Sequence, residues 1–249
     1  MEFNYYLITT LLSILLSILF FLFSQKISNY LNSFDKKIFI EQNIHISNLG
    51  GLFILIPTLI VFTYLYIFSN YWIDLGYYTS FVILITGNFL IGFYDDKFDI
   101  NYKSRLFLQF FITYIAVLIN IDLEINFIKF NIMEITLDFD NFSIFFAAFC
   151  LLSLIHALNL IDGSNGILGT STFFYLIYIG FYSSIQFQQL IIVIIVLYLI
   201  FLFFNLRNKI FLGNSGAYFT GALLGFLTIV SYNNNLIKVE QILLLYSIP

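Results

Sequence analysis

The chain has 249 residues, of which 61% are hydrophobic, 21% aromatic and only 10% charged, with a formal net charge of -4. A soluble domain is normally about 45–50% apolar and about 25% charged, so this composition excludes a soluble globular protein and indicates an integral membrane protein. A single cysteine, Cys150, excludes an intrachain disulfide framework, and no nucleic-acid partner is expected.

Apolar spans are predicted at 5–24, 49–68, 76–93, 105–121, 141–159, 167–183, 187–204 and 217–231. A ninth begins near 240 and is cut at Pro249. Several lie at the short end of what crosses a bilayer. The first is too long for a signal-peptide core and lacks a preceding basic segment, so it is read as a retained transmembrane helix. The expected fold is therefore an all-α polytopic membrane protein of about eight full spans and a partial ninth. It forms a single integral-membrane domain, 1–249, apparently truncated at its C-terminus.

One segment breaks the helical pattern. Between Asp122 and Asp140, Leu123, Ile125 and Phe127 alternate with polar residues, as do Ile135, Leu137 and Phe139. Period two over two short runs predicts a small β-hairpin near 122–140. Lys26, Lys36, Lys37, Lys97, Lys103, Arg105, Arg207 and Lys209 fall in alternate loops, and only Lys129 and Lys238 fall on the other side. The positive-inside rule then puts the eight in the cytoplasm and the N-terminus and hairpin outside.

Four segments on the expected cytoplasmic side carry polar chemistry. Gly50-Gly51 opens the second span; the pair permits close backbone approach, read first as packing against another helix and second as contact with a ligand. Asp95, Asp96 and Asp99 form the densest acidic cluster in the chain. If the helix continues, Asp95 and Asp99 share a face. Like charges so close need compensation, and hard oxygen ligands suit Mg²⁺, although three aspartates capping a membrane helix at the water surface would look the same. The stretch His156 to Gly166 places Asn159 and Asp162 three residues apart before an Asp-Gly and Asn-Gly turn. An Asx-rich connection accounts for the turn but not for Asn159 or His156 inside an apolar run. Last, Asn205 and the run Lys209 to Gly216 precede the eighth span, whose first N–H groups could face an anion.

Together these segments resemble the polyprenyl-phosphate N-acetylhexosamine-1-phosphate transferase superfamily, glycosyltransferase family 4. The matches are Gly50-Gly51, DDxxD at Asp95, Asp96 and Asp99, NxxDGxNG from Asn159, and FLGNSGAY from Phe211 to Tyr218. The resemblance implies a Mg²⁺- or Mn²⁺-dependent transfer of a sugar-1-phosphate, such as N-acetylhexosamine-1-phosphate, from a UDP-activated amino sugar to undecaprenyl (polyprenyl) phosphate. UMP would be released and a lipid-linked glycan begun, for cell-wall or lipopolysaccharide biosynthesis. It implies Asp95 and Asp96 as catalytic residues and, with Asn214, as metal ligands. Asp99, Lys103, Asn159, Asp162, Asn165, Gly50 and Gly51 would hold substrate. It implies a multi-pass protein of the cytoplasmic (inner) membrane, its site facing the cytoplasm, and leaves room for a homodimer.

Three positions depart from the family pattern: Asn214 where an aspartate is usual, Asn48 where a basic residue is usual, and His156 where an asparagine is common. The family's last cytoplasmic loop, with its histidine-rich motif, has no counterpart here. These departures motivate a second expectation, an inactive or truncated relative that binds polyprenyl phosphate or a full-length paralogue. A transporter is disfavoured, because the polar residues gather on one membrane face rather than at the midplane.

Overall fold

The computed structural model describes residues 46–68, 73–163, 165–183 and 185–247, with most of 10–31. The protein is a helical bundle. Its helices are α1 (Ser24–Leu31), α2 (Gly50–Phe68), α3 (Leu75–Phe98), α4 (Tyr102–Ile119), α5 (Ser143–Ile161), α6 (Ile167–Tyr182), α7 (Ile185–Asn205), α8 (Gly213–Asn233) and α9 (Val239–Ser247). A two-stranded antiparallel hairpin, β1 (Phe127–Phe130) and β2 (Ile135–Asp138), pairs Phe127 with Asp138 and Phe130 with Ile135. Among the described residues six helices are long and apolar enough to cross a membrane, and α6 is a shorter apolar helix.

The second to eighth predicted spans thus correspond to α2 through α8, and the partial ninth to α9. The first, 5–24, falls partly outside the described residues; those described between 10 and 22 are helical. The expected hairpin is present, though only four residues long on each side. Lys36 and Lys37 lie outside the described residues.

The long helices from α2 to α8 are largely apolar all round, as buried or lipid-facing helices are, so packing rather than amphipathicity decides which faces turn inward. Helix α8 is the axis: 94% of its most apolar window is buried, and α2, α3, α5 and α6 pack around it. Helix α4, only 22% buried over the same window, lies at the edge. Its outward residues, including Phe107 and Phe111, are exposed, which suits a surface facing lipid.

Two glycine contacts fix how α8 is gripped at its N-terminal end. A Cβ on Gly51 would fall 2.3 Å from Gly216 Cα, and one on Gly92 would fall 2.5 Å from Ser215 Cα. Helices α2 and α3 therefore meet the start of α8 backbone to backbone, the close approach that small residues allow between membrane helices. A short parallel pairing extends this grip: Gly50 N–H donates to the Phe211 carbonyl (2.9 Å), and Phe211 N–H to the Ser47 carbonyl (2.7 Å). The ends of α3, α5 and α7 and the starts of α2, α4, α6 and α8 lie together at this end of the bundle, and the hairpin at the other.

Candidate functional site

Helix α3 runs through Asp95 and Asp96 and stops at Phe98, several residues past its predicted end. Asp99 is its C-cap in the left-handed region, φ 50°, so it leaves the helical path and does not share Asp95's face as a continued helix would require. Asn101 caps α4 at once, accepting from Lys103 N–H (3.2 Å). This tight α3–α4 turn folds Arg105 back over Asp95.

Asp95 is 4% exposed. Its Oδ2 accepts from Arg105 Nη1 at 2.7 Å, Asn214 Nδ2 at 3.2 Å and Tyr218 Oη at 3.3 Å, and its Oδ1 from the Ile100 backbone N–H at 3.1 Å. A buried carboxylate survives only when paired and hydrogen-bonded, and Asp95 is both. Asp96 is bound differently. Its two oxygens take the backbone N–H groups of Asn214 (3.0 Å) and Ser215 (3.1 Å), donors that the first turn of α8 cannot use internally. Gly213, φ +71°, makes this possible: a Cβ there would meet Asp96 Oδ2 at 2.8 Å and the Asn48 carbonyl at 2.9 Å.

Asp162 caps α5, its N–H donating to the Leu158 carbonyl (3.3 Å). Burial, and then the charge of Asp96, push its carboxyl up to about 7. Among the described residues no basic side chain is paired with it as Arg105 is with Asp95.

The other expected residues divide. Asn214 joins the centre, bonded to both aspartates. Asn159 is half-buried on the last turn of α5. Asn165 is exposed and its amide donates to Asn208 Oδ1 of the α7–α8 connection. Asp99 and Lys103 are exposed at the rim. Gly50 and Gly51 are buried against 211–216, a packing position rather than a surface offered to a ligand.

Three residues enter that the motif reading did not assign. Arg105 signalled itself only as one of several positive-inside charges. Tyr218, the last residue of FLGNSGAY, carries the Asp95 bond and lies between the Arg105 guanidinium (5.8 Å from the ring) and the His156 ring (6.0 Å). Gln109, one turn beyond Arg105 on the same face of α4, is fully buried, and neither amide atom has a partner among the described residues. An unpaired buried polar group is costly, and in a polar seam beside Arg105 an ordered water would relieve it.

Among the described residues no three His, Cys, Asp or Glu side chains converge to hold a metal ion. The donor chemistry still fits Mg²⁺, which commonly uses one or two carboxylates and completes its shell with water and substrate phosphate. Asp96 and Asp162 supply two carboxylates within electrostatic reach of each other, and Asn48 Oδ1 is a buried oxygen without a partner among the described residues. Asp95 is the least available of the three carboxylates.

The geometry coincides with similarity to known proteins. A family model described as glycosyl transferase family 4 matches residues 78–232, the run that holds Asp95, Asp96, Asp162 and Asn214. The chain is 28% identical over 212 residues to a phospho-N-acetylmuramoyl-pentapeptide-transferase of Wolbachia sp. subsp. Drosophila simulans (strain wRi), covering 78% of this chain and 63% of that one. It is 29% identical over 199 residues to a protein of the same name from Wolbachia pipientis wMel, covering 73% of this chain and 59% of that one. The chain thus spans about three-fifths of the length of these curated relatives.

Proposed function

Because the chain belongs to glycosyl transferase family 4, we propose that it transfers a sugar-1-phosphate from a UDP-activated amino sugar to polyprenyl phosphate at the inner face of the cytoplasmic membrane. The observation that carries this reading is the carboxylate centre itself. Two aspartates are bonded to the N-terminus of α8, and a third, Asp162, raised by burial and by the charge of Asp96, lies at the end of α5 where seven helix ends meet. A phosphate oxygen of the lipid attacks the β-phosphorus of the donor; the bond from that phosphorus to the bridging oxygen breaks, and UMP leaves. A phosphomonoester's second pKa is about 6, so the attacking group is mostly ionised at neutral pH. Alignment and charge neutralisation, more than proton removal, then set the rate.

In this reading Asp96 fixes the backbone of 213–215 while presenting its outer lone pairs to the site. Asp162 faces it from α5. Asp95, held by Arg105, Tyr218 and Asn214, orients the Asn214 amide and is a positioning residue. Asp96 and Asp162 would hold Mg²⁺, which when bound screens the phosphate charges and polarises the β-phosphorus. Asn159, Asn165, Asp99 and Lys103 form the rim that receives the nucleotide.

Asn214 favours a second reading, a relative that binds polyprenyl phosphate without transfer. With Arg105 and the Asn214 amide both on Asp95, its charge is answered without a cation. The deciding experiment gives the purified chain UDP-N-acetylglucosamine labelled in the sugar and undecaprenyl phosphate, with Mg²⁺ or with chelator. Metal-dependent labelled lipid that disappears in Asp96→Asn supports transfer. No product with this or related UDP-sugars, alongside retained polyprenyl phosphate, supports the binding reading.

A further inference from the structure

The end of the bundle opposite the carboxylate centre contains a cavity of about 370 Å³, within the size range of small-molecule sites. Helix α3 joins the two regions: Tyr77 is at its start and Asp95 near its end, a rise of about 27 Å. Tyr77, Asp122, Ser183, Ser231 and Asn234 supply the cavity's polar groups, and α7 and α8 supply apolar walls.

Tyr77 marks this as more than a surface dent. It is 6% exposed, and its hydroxyl has no hydrogen-bond partner among the described residues. The ring cannot easily turn to find one. Phe226 stands edge-on at 5.1 Å and Phe187 packs at 6.0 Å. Two aspartates lie beside it: Asp122 on the same cavity lining, and Asp74 at the start of α3. Asp74 is already engaged as the N-cap of α3, accepting from Tyr77 N–H at 2.6 Å. Asp122 lies on the cavity lining, and its backbone is pinned by the Asn233 amide donating to its carbonyl at 2.7 Å. Among the described residues no Lys or Arg lines the cavity.

One carboxylate, a stranded hydroxyl and two serines over apolar walls make an acceptor-rich, negatively charged mouth on a greasy pocket. That combination attracts a cation able to donate several hydrogen bonds, attached to an apolar body. We propose that this cavity binds a primary ammonium carried on an apolar stem, with Asp122 as its counter-ion and Tyr77 Oη as an acceptor. The cavity lies at the hairpin end of helices long enough to cross a membrane, so the ammonium can come from an amine-bearing lipid headgroup or from a free alkylamine. The proposal is independent of the transfer reaction.

The test is native mass spectrometry of the full chain released from micelles doped with equal amounts of phosphatidylethanolamine and phosphatidylglycerol. It is paired with thermal unfolding in phosphatidylglycerol micelles with added octylamine. The variants are Asp122→Asn, Tyr77→Phe and, as a control for loss of an exposed charge on the same side, Asp138→Asn. The expected result is several-fold preferential retention of phosphatidylethanolamine, abolished by Asp122→Asn, weakened by Tyr77→Phe and unchanged by Asp138→Asn. Stabilisation by octylamine without a lipid preference, lost in Asp122→Asn, would support the site and identify a free amine as its ligand. Equal retention of both lipids with no octylamine effect would overturn the proposal. So would a preference or stabilisation that persists in Asp122→Asn.

Discussion

Arg105 Nη1 lies 2.7 Å from Asp95 Oδ2, the only ion pair to that buried carboxylate among the described residues. Removing one partner of a buried ion pair typically costs about 3–5 kcal/mol, whereas removing both costs far less. Arg105→Met is therefore expected to destabilise the protein by about 3 kcal/mol, the low end of that range because Arg105 is partly exposed. Asp95→Asn in the same chain should recover most of the loss, as thermal unfolding in detergent would show; equal losses in single and double variants would refute the pairing. Asp162 offers a different signature. Its carboxyl is raised to about 7, by burial first and then by the charge of Asp96, so the folded state holds that proton more tightly than the unfolded chain. The stability it contributes is complete below about pH 4, where an unfolded aspartate is also protonated, and is lost as pH rises through about 7. Measured in chelator across this window, Asp162→Asn should flatten the corresponding fall in unfolding temperature; an unchanged profile would show that Asp162 is not the titrating group.

Between helices the decisive contacts are made where side chains are absent. A methyl on Gly51 would lie 2.3 Å from Gly216 Cα, against backbone that cannot rotate aside. Gly51→Ala must push α2 away from α8, at about 1–3 kcal/mol for overpacking. Since Asp96 is bonded to the first N–H groups of that same helix, any turnover in the proposed transfer should fall with it. Gly163→Ala, whose added carbon has no neighbour nearer than 3.9 Å, should leave unfolding within about 0.5 kcal/mol of the parent. This element-level division also explains what the sequence could reveal. Seven spans and the hairpin were legible because apolar runs of bilayer length and period-two alternation are local signals. The Asp95–Asp96 cluster and Asn214 were legible as motif residues. Arg105 over Asp95 was not, because it depends on Asp99 entering the left-handed region and turning α4 back at once. Gly50 and Gly51 carry the same two letters whether they face a ligand or a helix, and only the packing against 211–216 distinguishes the cases.

At the scale of the whole molecule, the fold separates charge by end. Lys97, Lys103, Arg105, Arg207 and Lys209 lie with the carboxylate centre, while Lys129 and Lys238 lie with the hairpin. Lys and Arg loop bias normally sets orientation, and the proposed transfer from a cytoplasmic nucleotide sugar requires the same sidedness. Both arguments predict 206–209 inside and the hairpin turn outside. Met133, 69% exposed at that turn, and exposed Asn208 are suitable reporters. In a Cys150→Ser background, Met133→Cys should react with a membrane-impermeant maleimide on intact cells, whereas Asn208→Cys should react only after permeabilisation. The reverse pattern would put the carboxylate centre on the face where no nucleotide sugar is supplied. It would overturn the transfer reading while leaving the fold intact. Labelling of both sites in intact cells would instead break the alternation of α5 through α7, which separate them, across the bilayer. The two failures are distinguishable, so one pair of cysteines tests the topology and the chemistry separately.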